Sequence, residues 1–356
     1  MIDVLTSLRA FFAFFVFMSH WGMIDNDSFG GHVFYEGYVG VSFFFVLSGF
    51  IIAYNYEEKL STGFSKYNFY IARFARIYPL HVLTCILAAV LFVFPIAFEN
   101  FTFVGLINTF GKLCLNLFLL HAYVPDSAVY FSYNSTSWSL CCEQLFYALC
   151  PIIFTRFKNN GVLLIATISL IVLMAIGMSI TPESRYNDFW YVNPLLRFPE
   201  FLVGVLCFHV YKIWRPELPP SVFSILELLS VGLFCAFYIF AENVPLTYRC
   251  SLYYMFPIAC LILIFSWQGG VISKFLSYRI FIWLGKISYG FYLFHFLIIK
   301  LLISITRFYD LQCEPLTEVV VVFIVTLIIS GLSYHWFELP LNKWIKKRMI
   351  RPIKES

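Results

Sequence analysis

The chain has 356 residues, of which 61% are hydrophobic and only 12% are charged. Soluble domains carry about a quarter charged residues, so this composition excludes a soluble globular protein and predicts an all-α, polytopic membrane protein. The net charge of +4 includes no dense basic stripe, which argues against a nucleic-acid partner.

Eleven apolar segments approach the length of about 20 residues that a membrane-spanning helix needs. They are 5–24, 38–56, 76–96, 104–121, 139–155, 161–180, 194–212, 221–241, 247–267, 286–307 and 317–337. Basic connectors next to spans mark the cytoplasmic side. All basic connectors lie on the cytoplasmic side only if the chain crosses the membrane an odd number of times between residues 97 and 155. Two apolar segments occur in that interval. We therefore predict about ten transmembrane helices and one re-entrant or broken segment near 116–143 that faces the site. Both termini are expected in the cytoplasm, with a membrane domain at 1–340 and a basic tail at 341–356.

The first segment contains Arg9 and His20, which are costly in hydrocarbon and therefore indicate function. They are eleven positions apart, which on a helix is about three turns plus 20°, so both project from nearly the same face. We expect this face to form one wall of a polar site.

Arg73 and Arg76 precede an apolar run, at the spacing that makes side chains neighbours on a helix. Two adjacent guanidinium groups can hold phosphate through paired hydrogen bonds. The alternative is an ordinary cytoplasmic anchor, which charge alone favours.

Several other polar residues lie in apolar surroundings. Glu143 follows Trp138 and Ser139 at the mouth of a segment, and it is either a site acid or a helix-start acid stabilised by the helix dipole. Glu338, near the end of the last segment, has the same two interpretations. His295 is either a site residue or a packed core histidine. We expect Arg197 and Glu200 to form a structural ion pair. The remaining histidines (His32, His81, His121, His209 and His335) have no arguable geometry. The ten cysteines indicate small core residues rather than disulfides or a metal site, and Cys141 with Cys142 is the only notable pair.

Taken in order, these motifs resemble the membrane-bound acyltransferases of family three, which include bacterial O-acetyltransferases of surface glycans. The resemblance runs nearly end to end, and it rests on seven motifs: Leu8-Arg9…His20, Gly40…Gly49, Arg73-x-x-Arg76-Ile-Tyr-Pro, Ser137-Trp-Ser-Leu…Glu143, Arg197-Phe-Pro-Glu…Gly204, Ile287-Ser-Tyr…His295 and Phe337-Glu338-x-Pro340. Cys141-Cys142 departs from the usual Ser-Val. Gln144 stands where a second acid is common, so Glu143 is the only carboxyl there. The chain ends soon after its last span, so it resembles the stand-alone type without a C-terminal hydrolase domain.

The resemblance implies a multi-pass protein of the bacterial cytoplasmic membrane. It implies acetyl-CoA as the donor, without a metal, and a hydroxyl of a surface or lipid-linked glycan, such as O-antigen or exopolysaccharide, as the acceptor. It also implies His20 as the catalytic residue, acting as a general base or through an acetyl-histidine. Arg73 and Arg76 would then hold the CoA phosphates, and Arg9 would steer the donor or fix the electrostatics of the site. Glu143 or Glu338 would orient or reprotonate the imidazole.

Two other functions remain open on the sequence alone. A proton-coupled transporter or flippase of a polar lipid or glycan could use His20 as a proton relay. A sensor could bind the acyl donor without chemistry. The sequence carries no repeat typical of transporters, and it does not reveal the acceptor sugar or the oligomeric state.

Overall fold

The computed structural model describes residues 2–24, 33–99, 101–156, 159–311 and 313–351. Ten helices in these ranges are long and apolar enough to cross a membrane, and the same ranges contain no strand. The prediction of an all-α polytopic membrane protein with about ten crossings is confirmed. In chain order the helices are α1 Asp3–Ser19, α2 Val39–Ser61, α3 Lys66–Glu99, the short α4 Phe103–Leu117, α5 Trp138–Arg156, α6 Asn160–Ile180, α7 Pro194–Ile213, α8 Pro220–Ile239, α9 Leu246–Ser266, α10 Arg279–Phe308 and α11 Pro315–Met349.

Helix α4 is the broken segment that the charge pattern requires. It has 15 residues, which is about 22 Å of helix against a hydrocarbon core of about 30 Å. Its end is held by α3, since His81 Nε2 donates to the Asn116 carbonyl (2.9 Å) and the Tyr78 hydroxyl donates to the Leu117 carbonyl (2.8 Å). The chain then returns through short turns to α5, which crosses fully. Part of this return is buried, including His121, Ala122, Val129 and Tyr130, whereas residues 125–128 are exposed.

Helices α2 and α7 pack very closely against each other. Gly49 of α2 faces the Phe201 carbonyl, and Gly204 of α7 faces the Val46 carbonyl, each so closely that a Cβ would overlap the opposing oxygen. Small residues permit this approach, which gives van der Waals contact that larger side chains would prevent. The two glycine-containing motifs of the sequence therefore serve packing.

A buried ion pair locks the same region, as predicted. Arg197 Nε lies 2.9 Å from a Glu200 carboxylate oxygen, and both side chains are fully buried. The guanidinium also donates to the Ser42 hydroxyl of α2 (2.9 Å) and to the Cys250 carbonyl of α9. Because a charge at this depth needs its partners, the pair ties α7 to α2 and α9.

One expected boundary was wrong. Helix α3 begins at Lys66, ten residues before the predicted span, so Arg73 and Arg76 lie well inside a helix rather than at its entrance. The predicted domain boundary at residue 340 stays a prediction, and α11 continues through it to Met349. Asn342 of this last part donates to the Ala75 carbonyl of α3 (2.8 Å), so much of the predicted tail packs on the bundle. The placement of both termini in the cytoplasm stays a prediction.

Candidate active site

Three adjoining cavities lie between α1, α2, α3, α5, α10 and α11. The central cavity, about 120 Å³, is lined by polar side chains of five helices: Arg9, Ser48, Arg73, Arg76, Glu143, Tyr147 and Tyr289. The tail cavity, about 120 Å³, shares Arg73 and Arg76 and adds Tyr334, Glu338, Asn342 and Lys346 of α11. The upper cavity, about 40 Å³, shares Arg9, Glu143 and Tyr289 and adds Ser139, Ser288 and Tyr292. The shared residues make a continuous polar lining from the end of α11 to the middle of α10.

Both arginines of the Arg-x-x-Arg motif line the central cavity. Arg73 donates to the Tyr56 hydroxyl (3.1 Å) and lies over the Tyr56 and Tyr147 rings, at 5.0 and 5.7 Å from their centroids. Arg76 lies 3.6 Å from a Glu338 carboxylate oxygen and over the Tyr289 ring (5.3 Å). Aromatic faces hold a guanidinium in place without neutralising it. The two groups are therefore positioned cations with hydrogen-bond donors to spare.

Arg9 adds a third cation to the same space. Among the described residues, its guanidinium forms neither a hydrogen bond nor an ion pair within 4.0 Å. The nearest formal counter-charge on the cavity wall is Glu143, whose carboxylate accepts from the Tyr147 hydroxyl (2.7 Å). Three guanidinium groups against the carboxylates of Glu143 and Glu338 leave an excess of positive charge. Such a cavity favours an anionic ligand.

His20 lies at the end of α1, where the helix stops. Its Nδ1 is 2.8 Å from the Val16 carbonyl, and since a carbonyl oxygen only accepts, Nδ1 carries the proton. That leaves Nε2 unprotonated in the neutral ring, which is the form a general base needs. The prediction that Glu143 or Glu338 orients or reprotonates this imidazole stays a prediction. In the structure the Val16 carbonyl is the acceptor at Nδ1, and both carboxylates lie near the arginines.

A second histidine faces His20. The ring of His295, on α10, has its centroid 5.2 Å from that of His20, and the Phe296 ring lies at the same distance on another side. His295 Nδ1 is 3.2 Å from the Phe291 carbonyl, and its buried Nε2 has no partner among the described residues. Both imidazoles thus use Nδ1 to bond a carbonyl of their own helix, and within the described ranges no hydrogen bond to either Nε2 is formed.

His20 does not line any of the three cavities, contrary to the expectation that it shares one space with Arg9. The upper cavity ends at Tyr292, whose ring centroid is 5.9 Å from that of His295. The Tyr292 hydroxyl contacts the Ser139 hydroxyl (2.9 Å) and donates to the Thr136 carbonyl (3.1 Å). Tyr292 therefore stands between the arginine-lined space and the histidine pair.

The other candidates have structural surroundings. Trp138 is buried against Tyr191, with ring centroids 4.7 Å apart. Cys141 and Cys142 are free thiols. His121 packs on Cys141, with its Nδ1 3.5 Å from the sulfur, while His209 binds Glu57 (2.9 Å). His32 lies outside the described residues. Within the described ranges, no group of three or more His, Cys, Asp or Glu side chains could hold a metal.

Sequence reasoning missed the tyrosines that line the site. Tyr147 follows Glu143 by four positions, the spacing of neighbours on a helix, so its contact could have been found. Tyr56, Tyr289 and Tyr292 reach the site from other helices. Tyr289 belongs to the Ile287-Ser-Tyr motif, and no local pattern marks the other two.

The sequence also matches a known protein family. The sequence model described as an acyltransferase domain matches residues 2–335, nearly the whole chain. The chain belongs to this acyltransferase family. It is 28% identical over 321 residues to the acyltransferase MdmB of Streptomyces mycarofaciens, covering 83% of this chain and 78% of MdmB. It is 28% identical over 328 residues to the peptidoglycan O-acetyltransferase OatA of Listeria monocytogenes, covering 86% of this chain.

The O-acetyltransferase OatA of Staphylococcus aureus is 24% identical over 337 residues, again covering 86% of this chain. This acyltransferase spans about half the length of both OatA proteins, 51% and 53%. No solved structure matches it significantly. The resemblance that the seven motifs indicated is confirmed, and the chain is a multi-pass membrane acyltransferase.

Proposed function

We propose that this acyltransferase moves an acetyl group from acetyl-CoA to a hydroxyl of a glycan at the cell surface or on a lipid carrier. The observation that carries the donor assignment is the central cavity, where Arg9, Arg73 and Arg76 converge with fewer carboxylates than guanidinium groups. Acetyl-CoA is a polyanion with a long neutral arm, which fits a cationic mouth continued by a narrower space. The names of the two OatA relatives support an O-acetyl product.

In this proposal Arg73 and Arg76 bind the phosphates at the end of the bundle where α11 closes the tail cavity. Their guanidinium forks suit phosphate oxygens, and the aromatic faces beneath them limit the entropy lost on binding. Arg9 lies between this cluster and the upper cavity, where it attracts the donor inward. The thioester arm then extends toward Ser139 and Tyr292.

The transfer reaction takes place at His20 and His295, on the other side of Tyr292 from the arginines. His20 Nε2 takes the proton from the hydroxyl of the acceptor glycan while the hydroxyl oxygen attacks the thioester carbon of acetyl-CoA. The C–S bond breaks, the CoA thiolate leaves and takes up a proton, and the new C–O bond completes the ester. Tyr292 must turn aside for the thioester to reach the imidazole. His295 is a positioning residue, since its ring packs against His20 on the side that α10 provides.

The donor site can be tested separately from the acceptor by comparing acetyl-CoA with acetylpantetheine, which lacks the phosphates. Binding of both is measured on the purified chain in nanodiscs for the parent, Arg73→Gln with Arg76→Gln, and the control Arg279→Gln. Arg279 is an exposed arginine at the start of α10, and it lines none of the three cavities.

We expect the double variant to bind acetyl-CoA about a hundredfold more weakly and acetylpantetheine with unchanged affinity, because only the phosphate contacts are lost. The control should match the parent for both ligands. Unchanged acetyl-CoA affinity in the double variant would show that the two arginines are topological anchors.

A further inference from the structure

A fourth cavity lies at the opposite ends of α3 and α10 from the arginines. It measures about 450 Å³ and is lined by α3, the short α4, the turn after it and α10. We call it the lysine cavity, after Lys112 of α4 and Lys300 of α10, and its wall also includes Phe92, Ala97, Thr109 and Tyr133. Nothing in the mechanism above uses it.

The lysine cavity has a cationic side and an apolar side. In the described ranges, neither Lys112 nor Lys300 has a carboxylate within 4.0 Å, and no acidic residue lines the cavity. The opposite wall is the outer part of α3, with Phe92 and Ala97. A lysine among apolar groups in a membrane is costly, so two without counter-charges on one cavity indicate a functional site. An amphipathic anion matches both sides.

The cationic side is held by a rigid frame. The Asn116 side chain donates to the Lys112 carbonyl (3.0 Å) and to the Ser132 hydroxyl (2.8 Å), which fixes the end of α4 against the turn that follows. Tyr133 donates to the Thr109 carbonyl (2.8 Å), and burial raises the pKa of this phenol to about 12, so it stays a neutral donor. Helix α3 widens to a π-helical turn over Ala89–Val93 at this point, a feature frequent at functional sites.

The cavity lies beside the histidine pair. Lys300 Nζ stands 4.9 Å from the centroid of the Phe296 ring, and the His20 ring stands 5.2 Å from the same centroid. Phe296 and Lys300 are one turn apart on α10, so ammonium and imidazole flank one aromatic side chain. A ligand held by Lys300 would therefore extend polar groups toward His20.

We propose that Lys112 and Lys300 bind the phosphate of a lipid that carries the acceptor hydroxyl, with the lipid chain along the apolar wall of α3. This acceptor site rests on the proposed function, since it presumes a hydroxyl delivered to His20 from the end away from the donor. It names the acceptor class by chemistry: an amphipathic phosphate ester. The phosphates of the donor and the phosphate of the acceptor lipid then bind at opposite ends of the bundle.

Dodecyl phosphate, labelled with ³²P, is the probe, and dodecanol is its uncharged counterpart. Binding is measured in phosphatidylcholine nanodiscs for the parent, for Lys112→Gln with Lys300→Gln, for Lys112→Arg with Lys300→Arg, and for Lys286→Gln. Lys286 is an exposed lysine at the other end of α10 and serves as the matched control. Ala97→Phe narrows the cavity without changing charge.

We expect saturable binding of dodecyl phosphate by the parent, the arginine variant and the control. The glutamine double variant and Ala97→Phe should bind at least about tenfold more weakly, because they lose the charged contacts or the space. Dodecanol should not distinguish the lysine variants. Acetyl-CoA binding should be unchanged throughout, which shows that each variant is folded and separates this result from any failure of the donor assignment.

Competition identifies the source of the phosphate. Displacement by inorganic phosphate at the probe concentration would show a free-anion site, and displacement by phosphatidylglycerol in the nanodisc would show a structural lipid site. Either result overturns the proposal, as does equal affinity of the parent and the glutamine double variant. Resistance to both competitors supports an acceptor-lipid site.

Discussion

The Arg76–Glu338 pair lets structure and donor binding be separated in one experiment. Arg76→Gln removes a donor contact but also strands Glu338, whose side chain is only 6% exposed. At 3.6 Å with an effective dielectric near 20, the raw attraction is about 4 to 5 kcal/mol. The Arg76 side chain is 30% exposed, so water screens the pair, and we expect a net loss of about 2 kcal/mol.

The double change Arg76→Gln with Glu338→Gln should recover most of this stability, because no buried charge is left alone. Donor affinity should not recover with it, because the guanidinium is still missing. We expect acetyl-CoA to bind about 10- to 100-fold more weakly to both variants than to the parent, and Glu338→Gln alone to bind at least as tightly as the parent.

Thermal unfolding in detergent and calorimetric titration with acetyl-CoA measure the two quantities on the same samples. Parent-like acetyl-CoA affinity in the double variant would refute the reasoning, because Arg76 would then matter only through Glu338. A large loss of donor affinity in Glu338→Gln alone would refute it too, since the carboxylate would be a binding group rather than a counter-ion.

Three further predictions address other parts of the molecule. Burial, with His81 nearby, lowers the pKa of His121 to about 3 in the folded state, against about 6.5 in the unfolded chain. The neutral imidazole therefore stabilises the fold fully above pH 6.5, and this stability is lost as the pH falls below 6.5. Between pH 7 and pH 5 the parent should therefore lose about 2 kcal/mol more than His121→Gln in denaturant titrations, and equal losses would contradict the assigned burial. Gly204→Ala should cost about 1 to 3 kcal/mol because α2 and α7 must separate, whereas Gly232→Ala, with open space at its Cβ, should not destabilise; equal stabilities would show that the contact is loose. His295→Phe should lower kcat for acetyl transfer about tenfold with KM for acetyl-CoA unchanged, as measured by thiol release, and an effect confined to KM would place His295 in the donor site.

Much of the fold follows from hydropathy and charge. The number of crossings and the shortness of one segment between residues 97 and 155 follow from the requirement that basic connectors share a side. The early start of α3 was missed because its first turns are polar. In the structure Asn68 of the first turn exchanges two hydrogen bonds with the Arg351 backbone (2.8 and 2.9 Å), just after the end of α11. Hydropathy indicates which residues are buried in lipid, so it does not detect the part of a helix that extends beyond the lipid.

The site was less predictable than the fold. The spacing of Arg9 and His20 predicts that both project from nearly the same face, but α1 ends at Ser19 and His20 lines none of the cavities that Arg9 lines. Tyr292 and His295, which separate and surround these residues, come from α10, far along the chain. The turns after α4 depend on side-chain hydrogen bonds to α3, and two of their residues, Leu119 and Tyr133, have positive φ (56° and 58°). Such conformations are uncommon for these residue types and are imposed by tertiary contacts.

The most direct test of the account is the O-acetyl content of the surface glycan in a deletion strain that expresses the parent, His20→Gln, or the control Arg156→Gln at equal membrane abundance. Ester-linked acetate released by mild alkali is the readout. We expect the parent and the control to restore it, and His20→Gln to stay at least about a hundredfold lower, because the base that accepts the hydroxyl proton is gone. Restoration of the parental acetate content by His20→Gln would contradict the proposed reaction at its centre.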